Sequence, residues 1–139
     1  MADYDSKTQL ALPGNNLVTI THVVYGLHAF SAIVGLTTAA FIVTAFLTGW
    51  PSIIAVIINY VKRNDVKGTY LESHFAWQIR TFWWALLWLV LAFLVSIPLV
   101  LIIIGIPLAW ALFVIIGIWV LYRITRGWLA LLSNKPMPM

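Results

Sequence analysis

The run Glu72-Ser73-His74-Phe75-Ala76-Trp77-Gln78-Ile79-Arg80 gathers more side chains able to do chemistry than any other stretch of the chain. An acid, a hydroxyl, an imidazole, an amide and a guanidinium stand directly before a long apolar block. On a helix, Phe75, Ile79 and Phe82 share one face at i, i+4, i+7 spacing, with Gln78 off that face. The pattern predicts an interfacial helix whose Glu72, His74, Gln78 and Arg80 form a candidate surface for a partner protein or a neighbouring loop. The plainer reading of the same residues is an amphipathic lead-in to a membrane span, with Arg80 snorkelling to lipid phosphates.

His22 and His28 are the other ionisable side chains in apolar surroundings. At i and i+6 they point about 120° apart on a helix and cannot hold one ligand together. A haem held by two histidines would need its second ligand from another span, and the second apolar block contains none. The economical reading is polar side chains bonded between helices or to headgroups; a proton relay or a haem site is the alternative. No cofactor is expected. The chain has no cysteine, which excludes disulfides, thiolate metal sites and catalytic thiols. H-E-x-x-H, G-x-S-x-G and P-loop patterns are absent from it. Neither catalytic nor metal-binding residues are assigned, and a non-enzymatic protein is expected.

The elements that must position these residues follow from composition. Of 139 residues, 63% are hydrophobic and 9% charged, against roughly 25% charged in a soluble domain. Lipid is therefore the expected solvent. Charge is clumped. Apart from His22 and His28, Thr8 to Val61 carries no ionisable acid or base, and Thr81 to Tyr122 carries none at all. The chain divides into a polar segment 1–16 and a single membrane domain 17–139. Within that domain, 17–61 is a first helical pair and 62–80 a cytoplasmic loop with the interfacial helix. The stretch 81–122 is a second hairpin and 123–139 a cytoplasmic tail.

Pro13-Gly14-Asn15-Asn16 predicts a turn, with Asn16 as N-cap of the first helix. Two positions are open for the turn inside 17–61. Thr48-Gly49-Trp50-Pro51 would leave a second element of about a dozen residues, roughly 18 Å and too short to cross. A turn near Gly35-Leu36-Thr37-Thr38 instead leaves Pro51 to kink the second helix. In the second block Gly105-Ile106-Pro107 marks the turn, and Pro98 kinks or ends the helix before it. Ser31, Gly35 and Ala39 form a small-residue stripe, and Gly105 with Ala109 and Gly117 a second. Such stripes let helices approach closely, within a chain or between copies.

Lys62, Arg63, Lys67 and Arg80 flank one side of the blocks, and Arg123, Arg126 and Lys135 close the chain. Basic flanks are retained in the cytoplasm, so the C-terminus is expected there. The N-terminus is inside with four passes or outside with three, because Lys7 is offset by Asp3 and Asp5. The polar, slightly acidic start and long first apolar stretch predict a retained first segment rather than a cleaved signal. A pI near 9.7 is explained by these flanks, and no nucleic-acid partner is expected. Among eight tryptophans, Trp50, Trp77, Trp83, Trp84, Trp119 and Trp128 fall near span ends. Trp88 and Trp110 are expected to pack between helices.

Asn59-Tyr60-Val61-Lys62-Arg63, Glu72-Ser73-His74-Phe75-x-Trp77-Gln78-Ile79-Arg80-Thr81-Phe82-Trp83, and Leu121-Tyr122-Arg123-Ile124-x-Arg126-Gly127 with Lys135-Pro136-Met137-Pro138 span nearly the whole chain. In these motifs it resembles a widespread family of small, uncharacterised bacterial inner-membrane proteins. Ala76 departs from the pattern, where a basic residue is expected. The family is distantly similar to the small chloroplast inner-envelope translocon (Tic-type) proteins, which have four helical passes and both ends on one side. The resemblance implies an all-α polytopic bundle of four segments in two hairpins, with three as the alternative. It implies a bacterial inner-membrane location, a cytoplasmic N-terminus and no particular activity. The expected role is a scaffold, assembly or interaction partner in the lipid bilayer, meeting another membrane protein or further copies of itself. An oligomeric channel or translocator-like component is the alternative.

Overall fold

A computed structural model of the protein describes residues 11–37, 42–102 and 105–138. They form α1 (Asn15–Thr37), α2 (Ile42–Lys62), α3 (Leu71–Val100) and α4 (Gly105–Leu132). The fold is all-α. Three of these helices, α1, α3 and α4, are long and apolar enough to cross a membrane.

The helix boundaries show how apolar surroundings treat breaking residues. The first bonds of α1 are accepted by the Gly14 carbonyl, from Leu17 N–H and Val18 N–H, so the cap falls before Asn16. α1 ends at Thr37 and α2 begins at Ile42, so Pro51 lies inside α2. Pro98 likewise sits inside α3, which runs on to Val100. Where no water is available, every backbone group left unpaired is costly. One missing N–H is then a smaller loss than an exposed helix end, so the helix continues past the proline. Pro107 lies in the first turn of α4, where its missing N–H has no partner to lose. The turn itself precedes Gly105, with Ile102 N–H donating to the Leu99 carbonyl and Gly105 N–H to Ile102.

Two elements differ from expectation in extent. The interfacial helix and the span behind it are one continuous helix, α3, roughly 45 Å long against a hydrocarbon core of roughly 30 Å. Arg123 and Arg126 belong to α4 and not to a tail, because nothing between Tyr122 and Leu132 breaks a helix. Asn134 ends it. Its φ is 50°, Asn134 N–H bonds the Leu131 carbonyl, and Lys135 N–H reaches back to Ala130. This is a Schellman closure with asparagine in the left-handed position, and Pro136 follows.

The helices form two antiparallel pairs, α1 with α2 and α3 with α4, joined mainly by α1 against α4. Ala11 N–H bonds the Gly68 carbonyl, and the 135–138 segment docks on α3 through Lys135 and Pro138. The start of α1, the 63–70 loop and the end of the described chain therefore share one end of the bundle. The core lies there too, built from Tyr25, Val66, Tyr70, Leu71, Phe75, Ile124 and Leu131. Toward the other end the buried positions are small: Ala92 and Ser96 on α3, Gly105 and Ala109 on α4. Large apolar side chains point outward. Trp88 and Trp110 are 46% and 53% exposed, so they do not pack between helices as expected; the α3–α4 contact is too close to admit an indole.

Candidate functional site

On α1, Thr21, Tyr25 and His28 recur at i, i+4, i+7, and all three are buried. Thr21 bonds within its own helix, while Tyr25 and His28 find partners on other helices, so the polar stripe can face inward. Thr21 Oγ1–H donates to the Leu17 carbonyl at 2.7 Å. His28 Nδ1 lies 3.1 Å from Ser52 Oγ on α2. Tyr25 reaches α3, where its hydroxyl is 2.9 Å from His74 Nδ1. The other nitrogen of His74 is 2.8 Å from the Lys135 carbonyl. A carbonyl can only accept, so Nε2 carries the proton. Nδ1 of the neutral ring then accepts from Tyr25. Tyr25 also stacks on Trp128, with ring centroids 6.4 Å apart, and Trp128 Nε1–H donates to His22 Nδ1 at 3.0 Å.

Close backbone approach makes this possible. A Cβ at Gly127 would stand 2.5 Å from the Tyr25 hydroxyl, so only glycine lets α4 pass over the phenol. Further bonds fix the tail to the first turns of α3. Tyr70 OH donates to Asn134 Oδ1 at 3.0 Å. Burial raises the Tyr70 pKa above its ordinary value. Ser73 Oγ accepts from Met137 N–H at 2.9 Å and donates to the Tyr70 carbonyl. Arg80 Nη2–H donates to the Pro138 carbonyl at 2.8 Å.

A second group lies alongside. Trp77 Nε1–H donates to the Arg123 carbonyl at 3.1 Å, and the Arg123 guanidinium returns over the same indole, 3.8 Å from its centroid. Arg123 Nε–H also donates to Thr81 Oγ1 at 2.9 Å.

Of the four residues expected to contact a partner or a neighbouring loop, Glu72, His74 and Arg80 turn to the chain's own loop and tail. His74 and Gln78 are buried at 0% and 2% exposure. Glu72 is turned onto its own loop, where Oε2 accepts Gly68 N–H, and Arg80 holds the tail. The segment is polar because it bonds inward. Arg63, Asn64, Asp65 and Lys67 are the exposed part of the loop instead. His22 and His28 belong to different interhelical bonds, as their 120° separation requires.

The packing residues also separate. Gly105 lies so close to α3 that a Cβ would fall on the Leu99 backbone, and a Cβ at Gly117 would meet Leu36 of α1. Gly35 has nothing within 4 Å of its Cβ direction among the described residues. Ser31 is half-buried, and Ala39 lies outside the described residues.

Compared with protein-family profiles, curated proteins and solved structures, the chain matches none. The functional reading stands on the motifs and the geometry.

Asn59 and Gln78 complete the interior. Both are buried, and neither side-chain amide has a hydrogen-bond partner among the described residues. A buried polar group without a partner costs about 1–3 kcal/mol. Gln78→Leu is therefore expected to raise stability by about 1 kcal/mol or more, read as a higher thermal midpoint in mild detergent. An unchanged or lower midpoint would mean that the amide is satisfied in solution.

Proposed function

We propose that the chain is a non-enzymatic integral membrane protein of the bacterial inner membrane, with four passes and a scaffold or assembly role. The observation that carries the membrane reading is the apolar belt on α3 and α4. Trp83, Trp84, Phe93, Leu94 and Ile97 on α3, with Ile106, Ile115 and Ile118 on α4, are each 47–62% exposed. Burying such a side chain stabilises by roughly 1.5–3 kcal/mol, while a whole domain is stable by only about 5–15 kcal/mol. In water that belt would drive aggregation; in lipid it is solvated. The excess length of α3 supports the same arrangement, since its polar first turns then stand outside the hydrocarbon.

The scaffold role is supported by where the polar side chains go. His74, Tyr25, Ser73 and Tyr70 spend their hydrogen bonds on holding the loop, α1 and the tail together, and none meets a second reactive group in an open cleft. A contact surface then falls to Arg63, Asn64 and Lys67 at the exposed tip. The basic flanks favour a cytoplasmic position for this end, and the family resemblance agrees with it.

The absence of cysteine makes the topology testable. Single cysteines at Lys67, Ser133 and Leu101 lie at exposed positions on the two ends. An impermeant maleimide added to intact spheroplasts is expected to label Leu101→Cys only. Lys67→Cys and Ser133→Cys should react only after the membrane is opened. Labelling of Lys67→Cys and Ser133→Cys from opposite sides would end the four-pass reading.

A second reading, an oligomeric channel or translocator component, is favoured by Gly35, which has no described atom within 4 Å of its Cβ direction. Copies could meet there as small-residue faces do in lipid. A strictly monomeric protein in mild detergent excludes it.

A further inference from the structure

Among the described residues no carboxylate pairs with the arginines at the polar end. The carboxylates among the described residues are Asp65 and Glu72. Asp65 pairs with Lys62 at 3.0 Å, and Glu72 takes the Gly68 N–H. Yet three guanidinium groups gather round a single indole. Arg80, Arg123 and Arg126 lie 5.7, 3.8 and 5.7 Å from the Trp77 ring centroid. The ring face attracts each cation but brings no net negative charge, so the repulsion among the three persists. Their bonds to neutral groups occupy few donors, namely one Nη of Arg80 and the Nε of Arg123. Arg126 is exposed. Each guanidinium has five N–H groups in a rigid fork suited to phosphate, and most of them remain available.

The surroundings select among anions. Trp77, Arg80, Trp84 and Leu87 follow one another at i, i+3, i+7, i+10 and so share a stripe of α3. Arg80, Trp83, Trp84 and Leu87 line an open groove of about 330 Å³, and the last three are roughly half-exposed. Arg80 is the last charged residue before the uncharged stretch and Arg123 the first after it. The cationic cluster and the apolar groove thus join at the level where headgroups give way to acyl chains.

We propose that this cluster binds one anionic phospholipid. Its phosphate is held by Arg80, Arg123 and Arg126, and an acyl chain lies along Trp83, Trp84 and Leu87. The proposal rests on the membrane reading above. The cations alone would also accept free phosphate; the adjoining groove is what favours a lipid. Because Arg80 also bonds the Pro138 carbonyl, lipid and tail meet at one side chain.

The test is native mass spectrometry of the full chain taken from nanodiscs of mixed phosphatidylcholine and phosphatidylglycerol. The parent is expected to retain one phosphatidylglycerol in preference to phosphatidylcholine. Arg126→Gln, which breaks no hydrogen bond among the described residues, should weaken retention about fivefold, as for one basic residue at an anionic surface. Arg80→Gln combined with it should weaken retention further. Lys67→Gln removes the same charge on the exposed loop and should change nothing. Equal retention by parent and Arg126→Gln, or equal weakening by Lys67→Gln, overturns the proposal. So does displacement of the bound lipid by excess inorganic phosphate, which would assign the cluster to free phosphate. Failure of the membrane reading looks different, since then neither parent nor variants would enter nanodiscs at all.

Discussion

Gly105→Ala is expected to lower stability by about 3 kcal/mol, the upper part of the usual range for overpacking a tight contact. Gly105 opens α4, and the atoms its new methyl group would meet are the carbonyl, carbonyl carbon and Cα of Leu99. These are backbone atoms in the last turn of α3. No rotamer change can move them, so the hairpin must open or the final turn of α3 must unwind. Either leaves backbone groups unpaired in apolar surroundings, where each is costly. The measurement is thermal unfolding in one detergent, followed by helical signal and by recovery of the monodisperse peak. Gly49→Ala is the matched control. Gly49 sits in α2 with nothing within 4 Å of its Cβ direction among the described residues, and glycine within a helix is about 1 kcal/mol worse than alanine. Its variant should therefore be neutral or more stable. If both variants behave alike, the close approach at the α3–α4 turn is not present in solution.

His74→Leu should be the most damaging change at the polar end, by about 2–5 kcal/mol. It removes both bonds of a side chain that is fully buried, and strands the Tyr25 hydroxyl and the Lys135 carbonyl at about 1–3 kcal/mol for each unsatisfied group. Tyr25→Phe alone should cost about 1–3 kcal/mol, since it leaves His74 Nδ1 without a donor. In the His74→Leu background the same substitution should cost little, because the hydroxyl then has nothing to lose. Such non-additivity separates a direct bond from two independent packing losses. The tail supplies a local readout. Met137 is 5% exposed, its N–H bound by Ser73. A cysteine at Met137 should resist maleimide in the parent background and react in His74→Leu. Additive costs with a still-protected tail would mean that His74 does not join α1 to the 135–138 segment.

These two sites show what a local reading can and cannot reach. The Gly105-Ile106-Pro107 signal was visible because a turn depends on neighbouring residues. That Gly105 touches Leu99 required the two arms to be folded together. The inward stripe of Thr21, Tyr25 and His28 was also readable at i, i+4, i+7 spacing. Tyr25, between the two histidines, is the residue of that stripe that reaches His74.

By itself the sequence determined the chemistry of the solvent and the division into elements. Long uncharged blocks point to lipid, charge clumps mark the ends of the apolar helices, and Gly105 marks a turn, while two turn positions stayed open within 17–61. These are properties of composition and of contiguous residues. Only the tertiary structure decided which side chains face one another. In an apolar span the interior and the lipid are equally apolar, so hydropathy does not tell the inward face from the outward one. Trp88 and Trp110 therefore turned outward and the small residues inward. The prolines at 51 and 98 stayed inside helices, because breaking there would have exposed more backbone than they already forfeit. Glu72, His74, Gln78 and Arg80 looked like a surface for the same reason. A polar side chain reads as exposed until its partner is known, and those of His74 and Arg80 come from distant helices and the tail.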